Sequence, residues 1–108
     1  MLRIYHNPRC SKSRAALARL QQAGLSPQII KYLDTPPQRA ELEALIAKLD
    51  APASALLRDT PDSAGMDDAA IIAAIMAAPE RLQRPIIEDE RRAVIGRPTA
   101  RVEVFIAP

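Results

Sequence analysis

The chain holds one cysteine, Cys10, within His6-Asn7-Pro8-Arg9-Cys10-Ser11-Lys12-Ser13-Arg14. A lone cysteine is commonly a small buried hydrophobe. Here its neighbours are polar, and Arg9, Lys12 and Arg14 favour the thiolate over the thiol, so Cys10 reads as a nucleophile. The spacing excludes two related chemistries. A Cys-x-x-Cys redox pair needs cysteine at Ser13, and a Cys-x5-Arg phosphate loop needs arginine at Ala16. With no second cysteine, any redox turnover at Cys10 must borrow a thiol from outside by exchange at its sulfur, which implies glutathione or another thiol partner. His6, four residues earlier, either lowers the thiol pKa or positions the loop. Ser13 can hydrogen-bond the sulfur or the helix backbone. One histidine and one cysteine make no zinc-type ligand set, so no metal is expected.

Three arginines far along the chain have notable settings. Arg58 ends Ala55-Leu56-Leu57, Arg84 precedes Pro85 at a strand start, and Arg97 precedes Pro98 after Gly96. An X-Pro pair at a strand start is a candidate cis bond, and in a thioredoxin-like architecture such a proline faces the reactive thiol. Pro85 is therefore the cis-proline candidate, with Arg84 directed at Cys10. A tetrahedral oxyanion beside a thiolate needs several cationic donors to hold it and to offset charge that builds up during attack.

These residues need elements to position them. Residues 2–5 alternate like a half-buried strand that His6-Asn7-Pro8 breaks. A helix follows over 11–23, with Ala15, Ala16, Leu20 and Ala23 as its stripe, Cys10 or Ser11 at its start and Gly24 as its stop. Residues 28–32 read as a second strand, completing a strand–helix–strand unit. Thr35-Pro36-Pro37 supplies a cap and first-turn prolines for a helix carrying Leu42, Leu45, Ile46 and Leu49. A short helical turn over 54–58, a turn-rich stretch over 59–65 and a helix over about 67–78 come next. Residues 85–88 and 93–95 form a hairpin around Asp89-Glu90-Arg91-Arg92. Pro98 then opens a final helix, favoured over the strand-like alternation of Val102-Glu103-Val104-Phe105. The reading is one α/β domain of thioredoxin type over 1–108, with a small mixed sheet and a helical segment at about 36–83.

At 108 residues there is no room for a second domain, and the core needs no disulfide support. The Met1-Leu2-Arg3-Ile4 start is too polar for an export signal, and no apolar run approaches the roughly 18 residues of a membrane span. With a free thiol, this gives the expectation of a soluble protein of the reducing cytoplasm, with no membrane partner. Residues 1–33 carry six cations and no acid, whereas the other 75 carry nine cations against thirteen acids. The amino end thus has a field suited to an anionic ligand. Trp is absent, with two Tyr and one Phe, so a base-stacking surface for nucleic acid is not expected.

The loop His6 to Arg14, Tyr32-Leu33-Asp34-Thr35-Pro36-Pro37, Leu56-Leu57-Arg58, Arg84-Pro85-Ile86 and Gly96-Arg97-Pro98 together resemble the glutaredoxin-linked arsenate reductases, within the thioredoxin-fold superfamily that includes Spx-type regulators. The resemblance implies that Cys10 attacks arsenate while Arg58, Arg84 and Arg97, with Arg14, bind the oxyanion and its intermediates. It implies that His6 and Ser13 assist the thiolate, that glutathione acts as co-substrate with no tightly bound cofactor, and that glutaredoxin reopens the mixed disulfide. A monomer is expected. Relative to that family, the stretch 59–68 is shorter and lacks an acidic, tyrosine-containing sequence, and the chain stops at Pro108 soon after the last expected helix. The alternatives are a thiol-transfer protein with another substrate and an Spx-type module that binds RNA polymerase; Ser13 in place of a second cysteine counts against a redox switch.

Overall fold

Alternating side chains on three short strands build two apolar layers around one sheet. A computed structural model describes residues 1–58 and 65–106. In it β1 (Arg3–His6) pairs in parallel with β2 (Gln28–Lys31) and antiparallel with β3 (Ile86–Glu88), which pairs antiparallel with β4 (Ala93–Ile95). The strand order is β2-β1-β3-β4. Period-2 alternation sends Ile4 and its partner Ile87 to one face, and Tyr5 and its partner Ile86 to the other. The Ile4 and Ile87 face packs against Ala16 and Leu20 of α1 (Ser11–Gln22) and Val102 of a C-terminal 3₁₀ helix (Thr99–Phe105). The Tyr5 and Ile86 face packs against Leu42 and Leu45 of α2 (Arg39–Lys48) and Ile71 and Ile75 of α3 (Asp68–Ala77). Each of the fully buried Val, Leu and Ile side chains among these contributes roughly 1.5–3 kcal/mol.

The elements follow their expected order, with local differences. His6 is the last residue of β1 rather than a strand breaker. The buried stripe of α1 is Ser13, Ala16 and Leu20, whereas Ala15 is exposed and Ala23 lies beyond the last turn. The helix is rotated so that Ser13 faces inward to a buried polar partner. Thr35 does not cap α2, and Pro36 and Pro37 precede it. Gln38 is the cap, in a reciprocal box with Glu41 whose side chain accepts from the Gln38 N–H at 3.0 Å. The final segment is a 3₁₀ helix and not the α-helix expected. Its tighter turn sets Val102 inward with Phe105 half-buried, the i, i+3 spacing of a 3₁₀ helix. A 3₁₀ turn also forms at Ala53–Leu56, near the expected helical turn. Of the turn-rich stretch 59–65, residues 59–64 lie outside the described residues.

At the Arg3 end of β1, the buried Glu88 carboxylate is held by Arg3 at 3.2 Å and Lys48 at 2.7 Å and accepts from the Tyr5 hydroxyl at 3.1 Å. This ion-pair network, in which Arg3 Nε makes no hydrogen bond, closes one end of the sheet, and the residues singled out for chemistry gather at the other. Among the described residues no helix is long and apolar enough to cross a membrane.

Candidate active site

Strand register assembles the site. β1 leaves the sheet at His6 directly into the cysteine loop, and His6 pairs with Lys31 at the end of β2, beside Tyr32. Because Ile86 pairs with Ile95, two further steps in each direction bring Arg84 opposite Arg97. The Gly96 N–H donates to the Pro85 carbonyl at 2.9 Å, and Arg97 Nε donates to the Arg84 carbonyl at 2.7 Å. Gly96 permits this closeness, since a Cβ there would sit 3.0 Å from the Pro85 ring and from Ile87 Cδ1. The Arg84–Pro85 bond is cis, as expected, and so is Arg97–Pro98, where the sequence reading had only a helix start.

Cys10 occupies the N-cap position of α1, half-buried, with its N–H donating to the Asn7 carbonyl at 3.0 Å. Burial pushes the thiol up, but the Ser13 N–H, the Arg84 guanidinium and the Lys12 N–H outweigh it, and the thiol pKa lies below its ordinary value. Arg97 Nη2 stands 3.5 Å from the sulfur. The structure thus brings together Cys10, Arg84 and Arg97, contributed by a helix start and a hairpin remote in sequence.

Ser13 and His6 form a separate pair beneath the loop. Ser13 Oγ lies 2.6 Å from His6 Nδ1 and accepts from the Asn7 N–H at 3.0 Å. Accepting from Asn7, the hydroxyl can give its proton to Nδ1, which selects the Nε2–H tautomer. Of the roles open to Ser13, its hydroxyl is bonded to His6 and its backbone N–H serves the sulfur. His6 is 6% exposed, and burial, with the charges of Lys31 and Arg14, pushes its pKa down. A neutral His6 fixes the loop through Ser13 and Asn7.

Arg14 is exposed and donates to the Pro8 carbonyl at 2.9 Å, clamping the loop from outside. Arg58 is carried by a two-strand contact in which its N–H donates to the Arg81 carbonyl at 2.9 Å and Gln83 N–H donates to Leu56 at 2.7 Å. This contact places Arg58 close to the same end of the sheet, where its charge acts on Tyr32.

Tyr32 is the site residue that sequence reasoning used only as part of a motif. It is fully buried, and its hydroxyl has no hydrogen bond of ordinary length although the Asn7 side chain approaches it. Burial raises the phenol pKa; Arg84, Asn7 and Arg58 oppose the rise, while Cys10 adds to it. The available signal was a tyrosine at a strand end beside a turn, one of only two in the chain.

Residues 5–105 match the profile of the ArsC family, from the last apolar residues of β1 through the C-terminal 3₁₀ helix. The chain belongs to the ArsC family. A relative named "Arsenate reductase" in Neisseria meningitidis is 39% identical over 114 residues, covering 97% of each chain. Among ArsC-type structures, "Arsenate reductase from Vibrio cholerae" superposes with a TM-score of 0.84 at 37% identity, covering 97% of this chain and 96% of that one. "Uncharacterized protein YfgD" of Escherichia coli is 36% identical, over 94% of this chain and 92% of that protein. The fold is therefore the mixed-sheet, thioredoxin-like α/β fold of ArsC structures, as expected from the sequence.

Proposed function

We propose that the protein reduces arsenate to arsenite, with glutathione as second thiol and a glutaredoxin as final reductant. The observation that carries this reading is the setting of Cys10, a lone thiol lowered by two backbone N–H groups and Arg84, with Arg97 at 3.5 Å. A thiolate repels an oxyanion, so attack requires positive charge at the point of contact. Arg84 and Arg97 supply it, Arg58 adds to the same field, and Arg14 holds the loop.

The chemistry balances with one thiol from the protein and one from outside. The Cys10 thiolate attacks arsenic, and one arsenate oxygen departs as water after protonation, leaving a sulfur–arsenic(V) bond. The glutathione thiolate then attacks the Cys10 sulfur. A sulfur–sulfur bond forms as the sulfur–arsenic bond breaks, and the electron pair stays on arsenic, which leaves as arsenite. The Cys10–glutathione disulfide is reopened by a glutaredoxin thiol through exchange. This cycle needs a reducing compartment such as the cytoplasm. His6 and Ser13 act by holding the loop that presents Cys10.

The test is arsenite formation from arsenate with glutathione and purified glutaredoxin, omitting each thiol component in turn, for wild type and Cys10→Ser. Turnover requiring Cys10 and both components supports the proposal. Absence of turnover, with Cys10 still forming a glutathione disulfide, replaces it with thiol transfer on another substrate; specific retention of RNA polymerase would favour a regulator.

A further inference from the structure

Besides the arginine cluster, a cleft of about 470 Å³ opens beside the thiol loop. One wall is the 6–9 segment leading into Cys10, and the other is Lys31, Leu33 and Asp34 at the end of β2. The size suits a small ligand. Its charges are not consumed within the fold. Arg9, Lys31 and Asp34 are exposed, and none of them makes an ion pair among the described residues. Leu33, 47% exposed, adds an apolar surface between the charged groups.

We infer that this cleft is the binding site for the external thiol, a small peptide with two carboxylates and one ammonium group, of which glutathione is the example. The inference rests on the proposed use of an outside thiol at Cys10 and adds where that thiol sits. Two cations, Arg9 and Lys31, match two carboxylates, and Asp34 matches the ammonium. Arg9 is joined directly to Cys10, so a peptide held there has its sulfur within reach of the Cys10 sulfur. The oxyanion arginines, Arg84 and Arg97, come from the hairpin and line none of this cleft. The protein thus separates the two substrates, with oxyanion on the hairpin side and thiol peptide between the cysteine loop and the end of β2.

The experiment titrates S-methylglutathione, which cannot form a disulfide, into ¹⁵N-labelled full-length Cys10→Ser protein. Saturable amide shifts concentrated on Asn7, Arg9 and residues 31–34 are expected. Lys31→Glu and Asp34→Lys are each expected to weaken binding about five-fold, the scale of losing one exposed ion pair. Both positions are exposed, and each variant's own spectrum reports that it is folded. In turnover assays the same variants raise the KM for glutathione and leave that for arsenate unchanged. Absence of saturable shifts, shifts confined to residues 84–97, or equal binding by both variants overturns the assignment. The titration contains no arsenate, so failure of the arsenate reading and failure of the cleft are scored separately.

Discussion

Arg97 Nε donates a 2.7 Å hydrogen bond to the backbone carbonyl of Arg84, so the second guanidinium of the site is mounted on the residue that bears the first. Arg97 also keeps Nη2 3.5 Å from the Cys10 sulfur. A planar fork can do both at once, whereas a lysine ammonium has no such fixed pair of donors.

Arg97→Lys is therefore expected to raise the KM for arsenate about ten-fold or more, the scale of a lost charge-assisted hydrogen bond. Arg84→Ala should weaken oxyanion binding similarly and also raise the Cys10 pKa, since Arg84 is among the groups that lower it. Steady-state kinetics with iodoacetamide alkylation against pH checks both. Unchanged arsenate KM in either variant, with a normal melting curve, removes that arginine from the anion site.

Ser13→Ala separates structural support from thiol activation. It strips His6 Nδ1 and the Asn7 N–H of a shared partner inside the protein, which should cost about 1–3 kcal/mol in urea unfolding. The Ser13 backbone N–H remains, so the pH at which Cys10 begins to alkylate should move little. A large rise in that pH without loss of stability would make the hydroxyl a direct partner of the sulfur.

The pH dependence of stability isolates His6, the only histidine. Its pKa is lower folded than unfolded, so below the ordinary histidine value the unfolded chain binds the proton first. Stability is full above that value, about 6.5, and falls as pH drops through the window down to the folded pKa. Melting curves from pH 7.5 to 5 should show this fall in wild type and a flatter profile in His6→Gln. Equal slopes in the two proteins would contradict a buried neutral His6.

Much of the frame was legible because its signals are local. The alternation of β1, the stop at Gly24, with its φ of +86°, and the apolar spacing of α2 and α3 needed no distant contact. The place of Cys10 at a helix start was legible, but its thiol is lowered by the Ser13 and Lys12 N–H groups and by Arg84 rather than by the side chains of Arg9, Lys12 and Arg14; the cis Arg84–Pro85 bond followed from an X-Pro pair at a strand start. What escaped depends on tertiary partners. Ser13 as a buried helix residue makes sense only with His6 behind it, which shifts the stripe away from Ala15. Gln38 outcompetes Thr35 as a cap because Glu41 reciprocates, each side chain bonding the other residue's backbone N–H. Tyr32 gains meaning only when Arg84, Arg58 and Asn7 converge on it.

The most direct test of the account is a single turnover without glutaredoxin. Wild-type protein mixed with arsenate and glutathione should release one arsenite per Cys10 and stop, carrying one glutathionyl group on Cys10 by mass spectrometry. Cys10→Ser should release none. Glutathionylation that proceeds equally without arsenate, or the absence of arsenite when Cys10 is modified, would contradict the claim that the Cys10 thiolate attacks the oxyanion.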